Sequence, residues 1–151
     1  MQGTTVREVK PEDIGWLAGI IDGEASITCN KTHSIPPKIV YSIHIVGGDL
    51  SLLNKAIRIV NQFDDGQGIS AKLYKKNYKS SLLKSNKQMY HLQIWRQGVL
   101  LNLLRVILPH LTEKYLQGAR LLNFLENHKK GFHFKEGEID AFLSFTPAET
   151  K

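Results

Sequence analysis

The stretch Leu17-Ala18-Gly19-Ile20-Ile21-Asp22-Gly23-Glu24-Ala25 decides how the rest of this 151-residue chain reads. It lies in an apolar helical run with glycines at 15, 19 and 23. That spacing places the glycines near one helix face and strips the face of side chains, so another backbone can approach closely. The run ends on two acids, Asp22 and Glu24, where a helix hands over to a strand. A close pair of such helices would bring carboxylates together at one point.

Working outward, residues 1–10 read as an irregular lead-in. Pro11-Glu12-Asp13 is a helix start, because proline suits the first turn and acids favour the positive end of the helix dipole. The helix is expected to reach about Gly23. Ser26-Ile27-Thr28-Cys29-Asn30-Lys31-Thr32 then alternates as a half-buried strand does. A proline loop over 34–37 leads to a second strand over 39–46, with Ile39, Tyr41, Ile43 and Ile45 on one face. Gly47-Gly48 ends it. Asp49 can cap the next helix, whose Leu52, Leu53, Ala56, Ile57, Ile59 and Val60 recur at helical spacing before Asp64-Asp65-Gly66 stops it.

A third strand is expected over 68–76 and a fourth over 88–96, joined by a lysine- and serine-rich loop over 77–87. Helices follow over about 98–107, then from Thr112 or Glu113 with Leu116, Ala119, Leu122, Phe124 and Leu125 on one side. A basic turn over 127–137 and a short helix over 139–143 close the chain. The order α-β-β-α-β-β-α-α-α predicts an α+β fold, one antiparallel sheet with helices on one face. No second copy of the 17–25 stretch occurs.

The length suits one domain over 1–151, with its core over 11–145. Lys plus Arg number 20 against 14 acids, a formal net charge of +6. That excess favours a polyanionic partner without specifying one. A single cysteine, Cys29, excludes an internal disulfide and zinc clusters of the Cys-x-x-Cys type, so the chain reads as intracellular, cytoplasmic or organellar. His128 and His133 read as surface residues without the spacing of a metal site. No run is long and apolar enough to span a membrane, and no signal-peptide core is visible.

The 17–25 stretch resembles the LAGLIDADG motif of the homing endonucleases, matching at Leu17, Ala18, Gly19, Ile21 and Asp22. Ile20 is a conservative variant, Gly23 is a familiar small residue, and Ala25 replaces the usual last glycine. Glu24 stands where the family keeps its catalytic Asp or Glu. The resemblance extends over the layout from about Pro11 to Phe145. It implies the αββαββα fold of that family, with an antiparallel saddle of strands. It also implies a free-standing, intron-encoded nuclease that cuts both strands of a long, partly palindromic DNA site.

Glu24 is the first candidate catalytic residue and metal ligand, since a carboxylate at a helix end can hold Mg²⁺ (or Mn²⁺) through oxygen. The family resolves the shortage of acids by symmetry. One motif per chain therefore implies a homodimer, with Gly15, Ala18, Gly19, Asp22 and Gly23 at the helix-helix interface. Asp22 is expected to be structural, hydrogen-bonding backbone near the helix end. Leu108-Pro109-His110-Leu111-Thr112-Glu113-Lys114 resembles the family segment that ends in a lysine near the scissile phosphate, which makes Lys114 the second catalytic candidate. The sequence departs from several relatives at Gly47-Gly48-Asp49, where they carry a polar or basic residue that serves the solvent network around the metals.

A sheet that reads duplex DNA turns alternate residues to the major groove. By alternation the candidates are Ser26, Thr28, Asn30 and Thr32 on strand one, and Lys38, Ser42 and His44 on strand two. Strand three offers Ser70, Lys72, Tyr74 and Lys76; strand four offers His91 and Gln93, with Trp95 a further candidate that also reads as a packing residue. Lys72, Lys75, Lys76, Lys79, Lys84 and Lys87 are suited to phosphates, and Lys129, Lys130 and Lys135 can extend that footprint. Two alternatives use the same fold: a DNA-binding regulator that does not cleave, disfavoured by the presence of Glu24, and an RNA maturase, for which RNA rather than duplex DNA is the partner.

Overall fold

A computed structural model describes residues 8–79, 86–128 and 134–147. Helix α1 (Pro11–Glu24) has proline in its first turn and Glu12 and Asp13 beside it. It buries Leu17, Ala18 and Ile21 and leaves Gly15, Gly19 and Gly23 exposed. Strands β1 (Ala25–Lys31) and β2 (Ile39–Gly47) form the first hairpin, and β3 (Lys72–Lys79) and β4 (Asn86–Ile94) the second. All neighbours are antiparallel, in the spatial order β1-β2-β4-β3.

Helices α2 (Leu50–Val60), α3 (Gln97–Ile107) and α4 (Tyr115–Asn127) supply the apolar layer. Leu53 and Ile59 of α2, Leu100 and Leu104 of α3, and Leu121 of α4 are fully or almost fully buried with Ile43, Ile45, Leu92 and Ile94 of the sheet. The apolar residues of β2 and β4 thus point to the helices and the even-numbered positions of β2 point away, the expected alternation for a sheet covered on one side. A short helix α5 (Glu138–Leu143) packs near the end of α4. No helix among the described residues is long and apolar enough to cross a membrane.

Local chemistry sets the element ends. Asp49 caps α2, accepting the Leu52 N–H at 3.2 Å, as the sequence predicts. The third strand starts at Lys72 rather than 68. Asp64 and Asp65 accept the N–H groups of Gly66 and Gln67 in consecutive turns, and Gly66 and Gly68 take positive φ of 76° and 149°. Both features hold the chain out of extended pairing. Ser70 consequently lies ahead of the paired strand, outside the row of open-face residues, where it is 4% exposed.

The strands of the second hairpin also reach further than expected, through Lys79 and from Asn86, into the segment read as a loop. At the other end β4 stops at Ile94, two residues early, because Arg96 serves as the N-cap of α3. Asp65 lies over that helix start, its Cγ only 2.8 Å from where a Gly98 Cβ would stand. A carboxylate suits that position electrostatically.

His128 departs from the surface reading. Its side chain is 10% exposed, stacked on Phe134 at 4.3 Å and on Phe124 at 5.2 Å, with Glu138 3.7 Å from Nδ1. His133, Lys84, Lys129 and Lys130 lie outside the described residues, as do the side chains of Lys76, Lys79 and Lys87.

Candidate functional site

The motif helix ends at Glu24, which is exposed, immediately before Ala25 begins β1 opposite Ile45. The Ala25 N–H donates to Ile21 O, so the chain passes from helix to strand without an intervening loop. Glu24 is therefore fixed in backbone position by two regular elements, with its carboxylate in solvent.

Asp22 turns the other way, into its own protomer. Its carboxylate accepts the Thr112 N–H at 3.1 Å and the Lys114 N–H at 2.8 Å. The Lys114 ammonium donates to the Asp22 carbonyl at 2.9 Å. The backbone N–H of Lys114, helped by those of Glu113 and Thr112 and by the Lys114 charge, holds the Asp22 carboxyl below its usual range against the opposing effect of desolvation. These bonds explain why α4 starts at Tyr115 instead of 112 or 113: the preceding residues form the turn that Asp22 caps. They also bring Lys114, 90 residues away in sequence from Glu24, to the carbonyl two residues before it.

Of the five residues expected at a helix-helix interface, three are open to a partner. A Cβ built on Gly15, Gly19 or Gly23 meets nothing within 4 Å. Ala18 corrects the expectation, being 2% exposed inside the protomer's own core. Asp22 is partly buried and spent on Thr112 and Lys114, so its side chain also serves its own chain.

The sheet's open face runs beside this junction. Register aligns Ser26, His44, Gln93 and Lys72 in one row across all four strands. The next row joins Val46, His91 and Tyr74, and on the other side Thr28 faces Ser42. Asn30 faces Val40, and Lys76 faces Met89. The strand candidates thus share one face, as alternation predicts. Thr32 and Lys38 lie just beyond the strands, where the Lys38 N–H donates to Thr32 Oγ1 at 2.9 Å. Trp95 lies past β4 and lines a cavity of about 610 Å³ with Tyr41, Phe124 and Phe134. The lining of that cavity includes neither Glu24, Asp22 nor Lys114.

His91 differs from its neighbours on this face. It is 4% exposed although it points from the open side, because Tyr74 stacks on it at 5.1 Å and His44 lies tilted beside it at 4.8 Å. His91 Nδ1 and His44 Nε2 are 2.8 Å apart, a hydrogen bond between imidazoles. Burial, and then the His91 charge, lower the pKa of His44. Alternation alone exposes both residues but not their diagonal contact, which depends on register.

Among the described residues no three His, Cys, Asp or Glu side chains converge on one point. Within one protomer Glu24 is the carboxylate at the helix end left for a cation, since Asp22 is occupied. That donor set fits Mg²⁺, which keeps several waters and takes one or two carboxylates with substrate phosphates.

No family model matches this sequence, and no curated protein matches it. Solved structures do. The homing endonuclease I-CvuI in complex with the I-CreI target aligns with a TM-score of 0.55 and 16% identity, over 78% of this chain and 69% of that one. Its complex with its own target, Sro1.3, gives a TM-score of 0.55 at 15% identity, over the same shares of the two chains. The group I intron-encoded homing endonuclease I-CeuI complexed with DNA gives 0.53 and 18%, over 79% of this chain and 56% of that one. The four-stranded antiparallel sheet, its helices on one face and the glycine-spaced first helix give this chain the fold of the LAGLIDADG homing endonucleases.

Proposed function

We propose that this protein is a homodimeric, Mg²⁺-dependent endonuclease that cuts both strands of a specific, partly palindromic DNA site. The observation that carries the reading is the position of Glu24. It is an exposed carboxylate at the end of a helix with an open glycine stripe, at the margin of a polar sheet face. A second protomer packed on Gly15, Gly19 and Gly23 brings a second Glu24 to the same axis, and the charge of the pair is 2 × (+6) = +12. The neighbours' complexes with DNA support duplex DNA as the partner.

Glu24 from each protomer would hold the divalent ion. When bound, such an ion neutralises phosphate charge and makes water a stronger nucleophile. The protein's own residues have the remaining tasks. Lys114 places an ammonium near the helix end, where it offsets negative charge that builds on the phosphoryl oxygens. Asp22 positions Lys114 by holding its backbone. The open face, with Ser26, Thr28, Asn30, Ser42, His44, Lys72, Tyr74 and Gln93, lies in the groove and fixes the register of the scissile bonds. Asp49 is used as a helix cap, so the strand end at Gly47 contributes no side chain to orient water.

The test is cleavage of a pool of duplexes carrying candidate intron-insertion sites in Mg²⁺, Ca²⁺ or EDTA. Double-strand cuts by the wild type in Mg²⁺ and none by Glu24→Gln, which still binds, are the expected result. Cutting by Glu24→Gln at the wild-type rate would remove Glu24 from the chemistry. Binding without cutting by the wild type would make the protein a regulator or, with RNA preferred, a maturase.

A further inference from the structure

The hydrogen-bonded imidazoles on the open face carry a consequence for how DNA is read, one that rests on the proposed function. His44 and His91 are diagonal neighbours: His44 pairs with Gln93, and His91 is two residues along the same strand. Such diagonals are within reach of aromatic side chains. His91 is enclosed between Tyr74, stacked on it at an interplanar angle of 15°, and His44, tilted at 31°. His44 is the outer member and remains partly exposed.

A 2.8 Å bond between His91 Nδ1 and His44 Nε2 needs one proton between the two nitrogens. If His91 holds it, His44 Nε2 accepts, and neutral His44 carries its own proton on Nδ1. If His44 holds it on Nε2, neutral His44 has a bare Nδ1 that accepts. Among the described residues Nδ1 of His44 has no hydrogen-bond partner. A third state, cationic His44, donates from Nε2 to a bare His91 Nδ1 and makes its own Nδ1 a donor; it forms from the second state without altering His91.

In the free protein, burial, and then the His91 charge, hold His44 below the ordinary imidazole range, so a proton added to His44 has to come with the bound DNA. The titratable and charged groups nearest in register are Lys72 in the His44 row and Tyr74 and His91 in the adjoining row. From β1 the facing residues are Ser26 and Thr28, with Glu24 just ahead of the strand. The Lys72 ammonium lies 5.8 Å over the Tyr74 ring. Bound DNA brings acceptors and negative phosphates to His44 and favours its protonation.

We propose that His44 and His91 act as one reader of a base edge, His44 Nδ1 accepting or donating in the neutral pair according to where the shared proton sits, and always donating once His44 takes up a second proton. A bare Nδ1 suits the amino group of cytosine or adenine; a protonated one suits guanine N7 and O6. His91 is the positioning residue. The protein therefore tolerates several bases at one position near neutrality and favours guanine there in mild acid. A linked proton makes affinity for the guanine-bearing duplex fall, as pH rises, by at most about tenfold per pH unit for each protomer.

Two measurements test this. The first uses the free protein: ¹⁵N spectra of the imidazoles at neutral pH should show His44 Nδ1 and Nε2 shifts intermediate between protonated and bare nitrogen. In His91→Phe, which keeps a ring against Tyr74, His44 should settle into a single tautomer. A single tautomer already in the wild type overturns the pair. The second is selection from random-sequence 30-bp duplexes, about three helical turns at roughly 10 bp per turn, at mildly acid and mildly alkaline pH. One base-pair position in each half-site should move toward guanine in acid for the wild type, but not for His44→Gln or His91→Phe. The same movement in His44→Gln, or none in the wild type, overturns the reader and leaves the nuclease reading intact. No enrichment from any pool at any pH overturns both.

Discussion

Asp22 and Lys114 hold each other by reciprocal bonds: the Asp22 carboxylate accepts the Lys114 N–H at 2.8 Å, and the Lys114 ammonium donates to the Asp22 carbonyl at 2.9 Å. The motif helix and the segment before α4 are thereby fixed to one another across 92 residues of sequence. Asp22→Ala should lower Tm and slow cleavage together, because it frees the turn that carries Lys114. The folded-state pKa of Asp22 is lowered, so its contribution is present above the ordinary value of 3.8 and is lost as pH falls through the folded pKa. The Tm difference between wild type and Asp22→Ala should therefore be constant from neutral to mildly acid pH and shrink below that value. A difference that persists unchanged in strong acid would assign the effect to lost packing.

Lys114→Met tests the ammonium without touching the backbone bonds to Asp22. The apolar stem is kept and the charge is removed. Loss of one group that stabilises transition-state charge typically reduces turnover by roughly 10²–10³. Single-turnover cleavage should fall toward that range while affinity for the uncleaved duplex changes little. A wild-type cleavage rate would leave Lys114 with a purely structural place in the turn.

Two glycines separate the interface from the core. Gly19 is exposed, and a side chain there meets nothing of its own protomer within 4 Å. Gly118 is buried on α4, where a Cβ would be 2.9 Å from Leu108 Cδ1 and 3.3 Å from Leu111 Cδ1. Gly19→Leu should leave the fold intact and shift the protein to monomer by light scattering. Gly118→Leu should lower stability, since overpacking costs roughly 1–3 kcal/mol, with the chains that stay folded still dimeric. A fully dimeric Gly19→Leu protein would place the interface elsewhere.

What the sequence discloses follows the range of the physics. Element type is a local property: the alternation of Ile39, Tyr41, Ile43 and Ile45 and the cap at Asp49 are readable in short windows, and both are in the structure. Glu24 and the glycine stripe are likewise legible at the motif. The misplaced ends have non-local or turn-specific causes. The β3 start is moved by the Asp64 and Asp65 turns, the β4 end by Arg96 capping α3, and the α4 start by Asp22 from 90 residues away. Ser70 is lost from the open face with the first of these. Ala18 is one residue from the stripe, and periodicity does not fix which side of a small residue faces the core. Register decides the His44 to His91 contact and the burial of His91, and no pattern within a single strand contains register.

Lys72 and Gln93 occupy neighbouring places in one row of the open face, Lys72 exposed and Gln93 half-buried. Their chemistry assigns them different work in a groove. An exposed ammonium neutralises a phosphate, whereas an amide with both donor and acceptor suits a base edge, above all adenine. Lys72→Gln should weaken binding to all duplexes alike and reduce the slope of log affinity against log salt by about 1 per protomer. Gln93→Ala should leave that slope unchanged and relax preference at one base-pair position in each half-site, by roughly 1–3 kcal/mol of discrimination. Anisotropy titrations over a salt series, with the selected duplex and single-position variants of it, separate the two. Equal salt slopes for wild type and Lys72→Gln would take Lys72 off the phosphate backbone, and an unaltered base preference in Gln93→Ala would take Gln93 out of the groove.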